Sequence, residues 1–313
     1  MKRLSIVIPF YDEQAAVRPL FTRLEALSRA LDAVSLEIVC VNDGSNDATL
    51  AALQEEQGRF SRGDVVIVDL SRNFGKEAAL SAGLATCGGD AVVPMDADLQ
   101  DPPELVPAMV ESWMKGAEVV LARRSDRSSD SWLKRTGARL FYKVQNSVSD
   151  VALPADVGDF RLMDRMVVDV IKALPENRRF MKGLFAWAGF KTTVLEYRRE
   201  PRSAGSSRFT TVRLLHLALE GISSFSLLPL RVASYIGAVA ASLSLAYGGW
   251  IVFRTLYFGV DVPGYASIFT AIVLLGGIQL ICLGIIGEYV GRTYLEAKRR
   301  PAFVIRKIFR PTS

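Results

Sequence analysis

Two uncharged stretches near the C-terminus limit what this chain can fold into more than any other feature. Val232–Phe253 lies between Arg231 and Arg254, and Ala266–Gly287 ends at Glu288. Each runs for 22 residues, so as a helix each would be about 33 Å long, enough for the hydrocarbon core of a bilayer. Buried core helices are the soluble alternative, but such helices seldom pass about 18 residues without a charge. The stretches therefore predict two membrane spans, forming an anchor over 231–291.

The formal net charge is +5, and much of the basic character flanks these stretches. Arg198, Arg199, Arg202, Arg208 and Arg213 precede the first; Arg292, Lys298, Arg299, Arg300, Arg306, Lys307 and Arg310 follow the second. The loop Thr255–Tyr265 carries only Asp261. Basic flanks stay on the cytoplasmic side, which predicts a multi-pass protein with both termini in the cytoplasm and the short loop outside. The same collar would attract anionic headgroups or a lipid phosphate, making membrane lipids expected partners. No nucleic-acid motif accompanies the arginines, so nucleic acid is not an expected partner.

Between 209 and 230 the pattern changes. Leu214, Leu215, Leu217, Leu219, Ile222 and Phe225 form an apolar face interrupted by Arg213, His216 and Glu220, and Pro229 closes the run. This predicts an amphipathic helix lying in the membrane interface. His216 is the sole histidine and reads as interfacial, since one histidine without partners makes a poor metal site. Cys40, Cys87 and Cys282 have no paired spacing and read as free thiols. Met1-Lys2-Arg3 leads straight into a strand pattern, so no cleavable leader is expected before it.

The first two hundred residues read as a soluble α/β unit. Short apolar runs at Leu4–Pro9, Leu36–Asn42, Val65–Leu70, Ala91–Met95 and Glu118–Ala122 alternate with helical patterns, the signature of a parallel sheet with crossover helices. Helices are expected from about Ala15 to Leu31, after a cap at Ser45 or Asn46, after Pro102-Pro103-Glu104, and from about Ser131 to Ser147.

The chemistry concentrates at the ends of these strands, where open α/β sheets bind ligands. Asp96-Ala97-Asp98-Leu99-Gln100-Asp101 follows the fourth run. Asp96 and Asp98 project alike across Ala97, so both can face one Mg²⁺ or Mn²⁺, cations that take hard oxygen ligands and share them with a pyrophosphate. Pro9-Phe10-Tyr11-Asp12-Glu13 and Asn42-Asp43-Gly44-Ser45 leave the first two strands, offering an aromatic ring and carboxylates to a base and ribose. Ser71-Arg72-Asn73-Phe74-Gly75-Lys76-Glu77 places Lys76 at a helix start, where a cation opposes the dipole and a functional role becomes the better reading. No G-x-G-x-x-G follows the first strand, which argues against a dinucleotide oxidoreductase.

The ordered segments IVIPFYDE, VNDGSNDAT, SRNFGKE and DADLQDPPE resemble family-2 glycosyltransferases of the GT-A fold. VGDFRLMDR, FMKG, REPRSAGSSRF, LALEGISSFS, YIG, LGGIQ and GEYVGRTYLEAKRRP narrow the resemblance to bactoprenol glucosyltransferases of O-antigen modification, relatives of dolichol-phosphate mannose synthases. It covers nearly the whole chain. It implies an α/β, Rossmann-like GT-A catalytic domain over 1–208, an interfacial helix over 209–230, a two-helix transmembrane anchor over 231–291 and a basic cytoplasmic tail over 292–313.

By the same resemblance, Pro9, Tyr11, Glu13, Asp43, Lys76, Asp96 and Ala97 would bind the nucleotide sugar, and Asp96, Asp98 and Gln100 would hold the metal. Asp159 and Asp98 would be the catalytic residues, Arg123 and Arg135 would grip the acceptor phosphate, and Arg202 and Arg208 would contact the acceptor or the diphosphate. Arg208 and Phe209 stand where the family has lysine and tyrosine; arginine keeps the charge but is a planar fork rather than a point donor.

The implied reaction is inverting transfer of a hexose, glucose from UDP-glucose, to undecaprenyl phosphate in a bacterial inner membrane. Galactose, mannose, N-acetylglucosamine and aminoarabinose are alternative donors, and an inactive membrane scaffold is the alternative outside catalysis. The resemblance further implies a homo-oligomer, a tetramer among the options. A processive synthase would carry Q-x-x-R-W and more spans, neither of which the sequence contains.

Overall fold

A computed structural model of the chain describes residues 1–124, 157–176, 181–197, 228–258 and 264–311. The expected helix over 131–147, most of the interfacial helix over 209–230, and Arg135, Arg202 and Arg208 lie outside the described residues.

The five apolar runs all form strands: β1 Lys2–Phe10, β2 Val34–Asn42, β3 Asp64–Leu70, β4 Ala91–Pro94 and β5 Val119–Arg124. Between them lie α1 Gln14–Ala30, α2 Thr49–Arg59, α3 Lys76–Thr86 and α4 Val106–Met114, the last entered through a short 3₁₀ turn at Pro103–Leu105. Then follow β6 Val157–Asp164, α5 Arg165–Ala173, α6 Met181–Trp187 and β7 Thr192–Tyr197.

These strands and a C-terminal β8, Ile305–Phe309, make one sheet of eight in the order β7-β5-β6-β4-β1-β2-β3-β8. The expected parallel arrangement holds for β4-β1-β2-β3. Outside it the sheet is mixed: β6 runs antiparallel to β4 and β5, and β8 antiparallel to β3. The sequence reading of 292–313 as a basic tail did not include this strand.

The sheet is covered on both faces, which is why its strands read as continuous apolar runs. Leu4, Ile6, Ile8 and Phe10 of β1 join one core with Val17, Leu20, Phe21, Leu24 and Leu27 of α1, a stripe at helical spacing. On the other face α3 approaches so closely that a Cβ on Gly83 would collide with the Val7 side chain. The short residues Ala79, Ala82 and Gly83 permit that approach.

A separate unit holds α7, Leu228–Phe258, and α8, Tyr265–Ala297. At 31 and 33 residues both exceed the uncharged stretches, carrying Arg254 and Glu288 within their helical turns. They are long and apolar enough to cross a membrane, and the segments that meet that test are 6% and 0% buried. Tyr235, Leu243 and Ile281 are 69%, 67% and 66% exposed, a display of apolar surface that water does not favour. Neither segment is buried among the described residues as the core helix of a soluble protein would be. The three cysteines are free, as expected.

Candidate active site

The chain runs outward from β1 to β2 and β3, then returns to set β4 on the other side of β1. Such a reversal opens a crevice at the carboxyl ends of the strands. The loops after β1, β2, β3 and β4 all leave from that edge.

The first three loops are tied to one another by their own polar groups. Asp12 has a left-handed backbone, φ 51°, and its N–H donates to Ser45 Oγ at 3.1 Å, while Asn46 N–H donates back to Asp12 Oδ1 at 2.8 Å. Ser45 and Asn46 are thus engaged with the first loop and do not cap α2 as expected. The cap position is Ala48, which offers no side-chain acceptor, and Asp47 just before it accepts from the Thr49 N–H at 3.0 Å. Glu13 N–H donates to Thr49 Oγ1 at 3.0 Å. Tyr11, at 37% exposed, stands open beside this junction.

Asp43 holds the third loop. Its carboxylate accepts from Phe74 N–H at 2.8 Å and Gly75 N–H at 2.9 Å. Burial raises its pKa above the ordinary carboxylate value, opposed by those two amides and by Arg72. The sequence reading gave Asp43 only to the nucleotide; the structure gives it a framework role as well. Gly44 has φ +63°, and a Cβ there would strike the backbone of the third loop, meeting the Arg72 carbonyl carbon and lying 2.6 Å from Asn73 N. Gly44→Ala should therefore destabilise the protein by about 1–3 kcal/mol from backbone strain alone, lowering the melting temperature in detergent. An unchanged melting temperature would mean that the loops do not pack this way.

The third loop delivers Lys76, the first residue of α3, whose ammonium bridges two carboxylates. It lies 2.6 Å from Asp96 Oδ1 and 2.9 Å from Asp159 Oδ2. The register explains how residues so distant in sequence meet. Ala91 of β4 faces Asp164 of β6 and Val92 faces Met163; continued upward, that antiparallel pairing brings 159 beside 96. Burial would lower the Lys76 pKa, but Asp96 and Asp159 outweigh it and hold the ammonium above its usual value. The Lys76 side chain is 45% exposed and Asp159 only 14%, so the cluster opens to solvent along the lysine stem.

After β4 the chain alternates as the sequence reading required: Asp96 and Asp98 are partly exposed while Ala97 and Leu99 are buried. Leu99 adopts φ 59°, and Gln100 N–H donates to Asp98 Oδ1 at 3.1 Å, closing the turn. Gln100 is buried, and so is Asp101, which accepts from Tyr197 Oη at 3.0 Å. Tyr197 was not foreseen; a lone tyrosine at the end of an unrecognised strand carries no sequence signal. Pro9 is inside β1, and Arg123 on β5 is paired with Glu196 on β7, its partner in register.

Arg161, two residues after Asp159, is the buried cation of the site. Its guanidinium lies 4.3 Å from the centre of the Phe185 ring and donates to Gly158 O at 2.7 Å, while its Nε has no hydrogen-bond partner among the described residues. Burial lowers its pKa to about 10, with Asp159 pulling the other way.

Among the described residues no group of three or more His, Cys, Asp or Glu side chains could hold a metal by itself. Asp96 and Asp98 instead offer two partly exposed hard donors, which fits a Mg²⁺ or Mn²⁺ that keeps waters and shares a diphosphate rather than an all-protein cage.

Comparison with known proteins agrees with this arrangement. The profile of glycosyl transferase family 2 matches residues 5–172, and that of the GtrB C-terminal hairpin matches 228–293. An uncharacterized glycosyltransferase of Synechocystis is 50% identical over 98% of this chain and 95% of its own. The prophage bactoprenol glucosyl transferase homolog of Escherichia coli is 47% identical over 98% and 99%. The bactoprenol glucosyl transferase of Shigella phage SfII is 49% identical over the same shares. With the sheet, the strand-end carboxylates and the helical hairpin all accounted for within these end-to-end matches, the chain belongs to glycosyl transferase family 2 and is a glycosyltransferase of the GT-A fold.

Proposed function

We propose that this enzyme transfers glucose from UDP-glucose to undecaprenyl phosphate, with inversion, at the cytoplasmic face of a bacterial inner membrane. The observation that carries the reading is the 49% identity, over 98% of the chain, to a bactoprenol glucosyl transferase. The product would be a lipid-phosphate-linked sugar for modification of a cell-surface glycan.

The chemistry follows from the donor and acceptor. A lipid phosphate oxygen attacks the anomeric carbon, the bond from that carbon to the diphosphate breaks, and UDP leaves with the electron pair. An α-linked donor gives a β-linked product. The nucleophile is already ionised at neutral pH, so proton abstraction is not required. Asp159 then serves best as the carboxylate that, with Asp96, fixes the Lys76 ammonium beside the donor diphosphate. Tyr11, Glu13 and Asp43 would hold the base and ribose. A divalent cation on Asp96, Asp98 and Gln100 would offset the charge gathering on the diphosphate.

Holding both substrates in line is where such a site contributes most. Arg123, Arg135, Arg202 and Arg208 would grip the acceptor phosphate, Arg123 by exchanging Glu196 for it. The helices α7 and α8 would span the bilayer with both termini cytoplasmic, anchoring the enzyme in the membrane that carries the acceptor. Assembly would be as a homo-oligomer.

The test is to incubate membranes with a panel of labelled nucleotide sugars and extract the lipid. Label should enter lipid from UDP-glucose, in proportion to added undecaprenyl phosphate and to UDP released. Label from a different sugar would replace the donor assignment, and no lipid label from any donor would reject the reaction.

A further inference from the structure

The last strand reaches back to the loops of the candidate donor site. β8 pairs with β3 in the register Ile67–Phe309, Val68–Ile308 and Asp69–Lys307, then shifts so that Leu70 faces Ile305. Arg306 is the extra residue of this bulge. A bulge bends its strand and re-aims a side chain, and here the guanidinium turns along the carboxyl end of β3. Arg306 Nη2 donates to Ser71 O at 2.7 Å, and Nη1 lies 3.6 Å from Asp69 Oδ2. Ser71 N–H donates to Val304 O at 2.9 Å. The first residue of the loop that carries Lys76 is therefore held on both sides by the C-terminal segment.

The connection continues inward. Asp69 is buried and its Oδ1 accepts from Asn42 Nδ2 at 2.8 Å. Asn42 Oδ1 accepts from Ser45 N–H at 3.3 Å, and Ser45 Oγ accepts from Asp12 N–H at 3.1 Å, next to Tyr11. At the strand's far end Gln57 Nε2 donates to both Val65 O and Phe309 O, at 2.7 and 3.2 Å, clipping β8 to its neighbour. A set of polar contacts thus runs from the bulge of β8 inward: the Arg306–Asp69 ion pair joins it to the hydrogen bonds that link Asp69, Asn42, Ser45 and Asp12.

We propose that β8, through Arg306, is a positioning element of the donor-nucleotide cleft, setting the three loops that receive the nucleoside diphosphate. The inference rests on the reading that Tyr11, Asp43 and Lys76 line that cleft. Arg306 touches no substrate in this scheme and acts through Ser71 and Asp69.

The experiment uses the full chain in detergent, with Arg306→Ala, Arg306→Lys and, as reference, Tyr11→Ala. UDP affinity is measured by calorimetry, and KM for donor and acceptor, kcat and the melting temperature are measured alongside. Arg306→Ala should weaken UDP binding and raise the donor KM by roughly fivefold to tenfold, the scale of one charge-assisted hydrogen bond at a solvent-exposed position. The acceptor KM should stay within about twofold, since among the described residues β8 lies at the opposite side of the sheet from β5, which carries Arg123. Arg306→Lys, which keeps one donor, should recover part of the loss. A fall in melting temperature with UDP affinity unchanged would make β8 merely structural and overturn the proposal. Tyr11→Ala separates the two levels: if it binds UDP as the wild type does, the donor-site reading itself has failed, whereas weakened binding there with a neutral Arg306→Ala overturns only the positioning role.

Discussion

Asp98→Asn should reduce turnover by at least about a hundredfold, since losing an anionic metal ligand forfeits several kcal/mol of charge stabilisation and each 1.36 kcal/mol is tenfold. The fold should survive. Asp98 is partly exposed at a strand end, and asparagine retains an oxygen to accept the Gln100 N–H that closes the turn. The wild type should lose activity in chelator and regain it with Mn²⁺ or Mg²⁺. Direct titration should show weaker Mn²⁺ binding to the variant in the absence of any substrate. Full activity of the variant, or indifference of the wild type to chelator, would reject Asp96 and Asp98 as metal ligands.

Lys76→Met should be nearly as damaging, with an expected loss of about 10²–10³ in kcat, the scale seen when one preorganised electrostatic group is removed from a transfer site. Methionine keeps the length and the helix propensity of the lysine but leaves Asp96 and Asp159 facing each other without the ammonium that now bridges them. Lys76→Arg should retain part of the activity, because a guanidinium can span two carboxylates, although as a fork rather than a point charge. Circular dichroism should be unchanged for both. A Lys76→Met enzyme with near-normal kcat would show that the bridge is only a framework contact and would return Lys76 to the role of a helix-start residue.

The parallel heart of the sheet was legible in the sequence because strands covered on both faces are written as uninterrupted apolar runs. β6 was hidden for the opposite reason. Asp159 and Arg161 interrupt its apolar run, and the charges break the strand pattern. β8 was hidden by composition: Arg306 and Lys307 made Ile305–Phe309 look like more of a basic tail. The carboxylates after β4 and Lys76 were found as separate features, but their meeting with Asp159 depends on a β4–β6 register that no local spacing encodes. Asp43 was read for its ligand chemistry, and its bond to the third loop became visible only once the loops were in place. The turn at 43–46 shows the same limit, since Ser45 and Asn46 have the chemistry of helix caps and spend it on Asp12 instead.

The antiparallel partnership of β8 with β3 also imposes a rule of parity. Lys2 opens the sheet and Phe309 closes it, and between them the chain passes through α7 and α8. A single hydrogen-bonded sheet cannot be divided by a bilayer, so the chain must cross an even number of times before β8 rejoins it. In the two-span topology proposed above, the two helices would insert as a pair, and a reporter fused after Ser313 would read out the compartment of the catalytic domain itself.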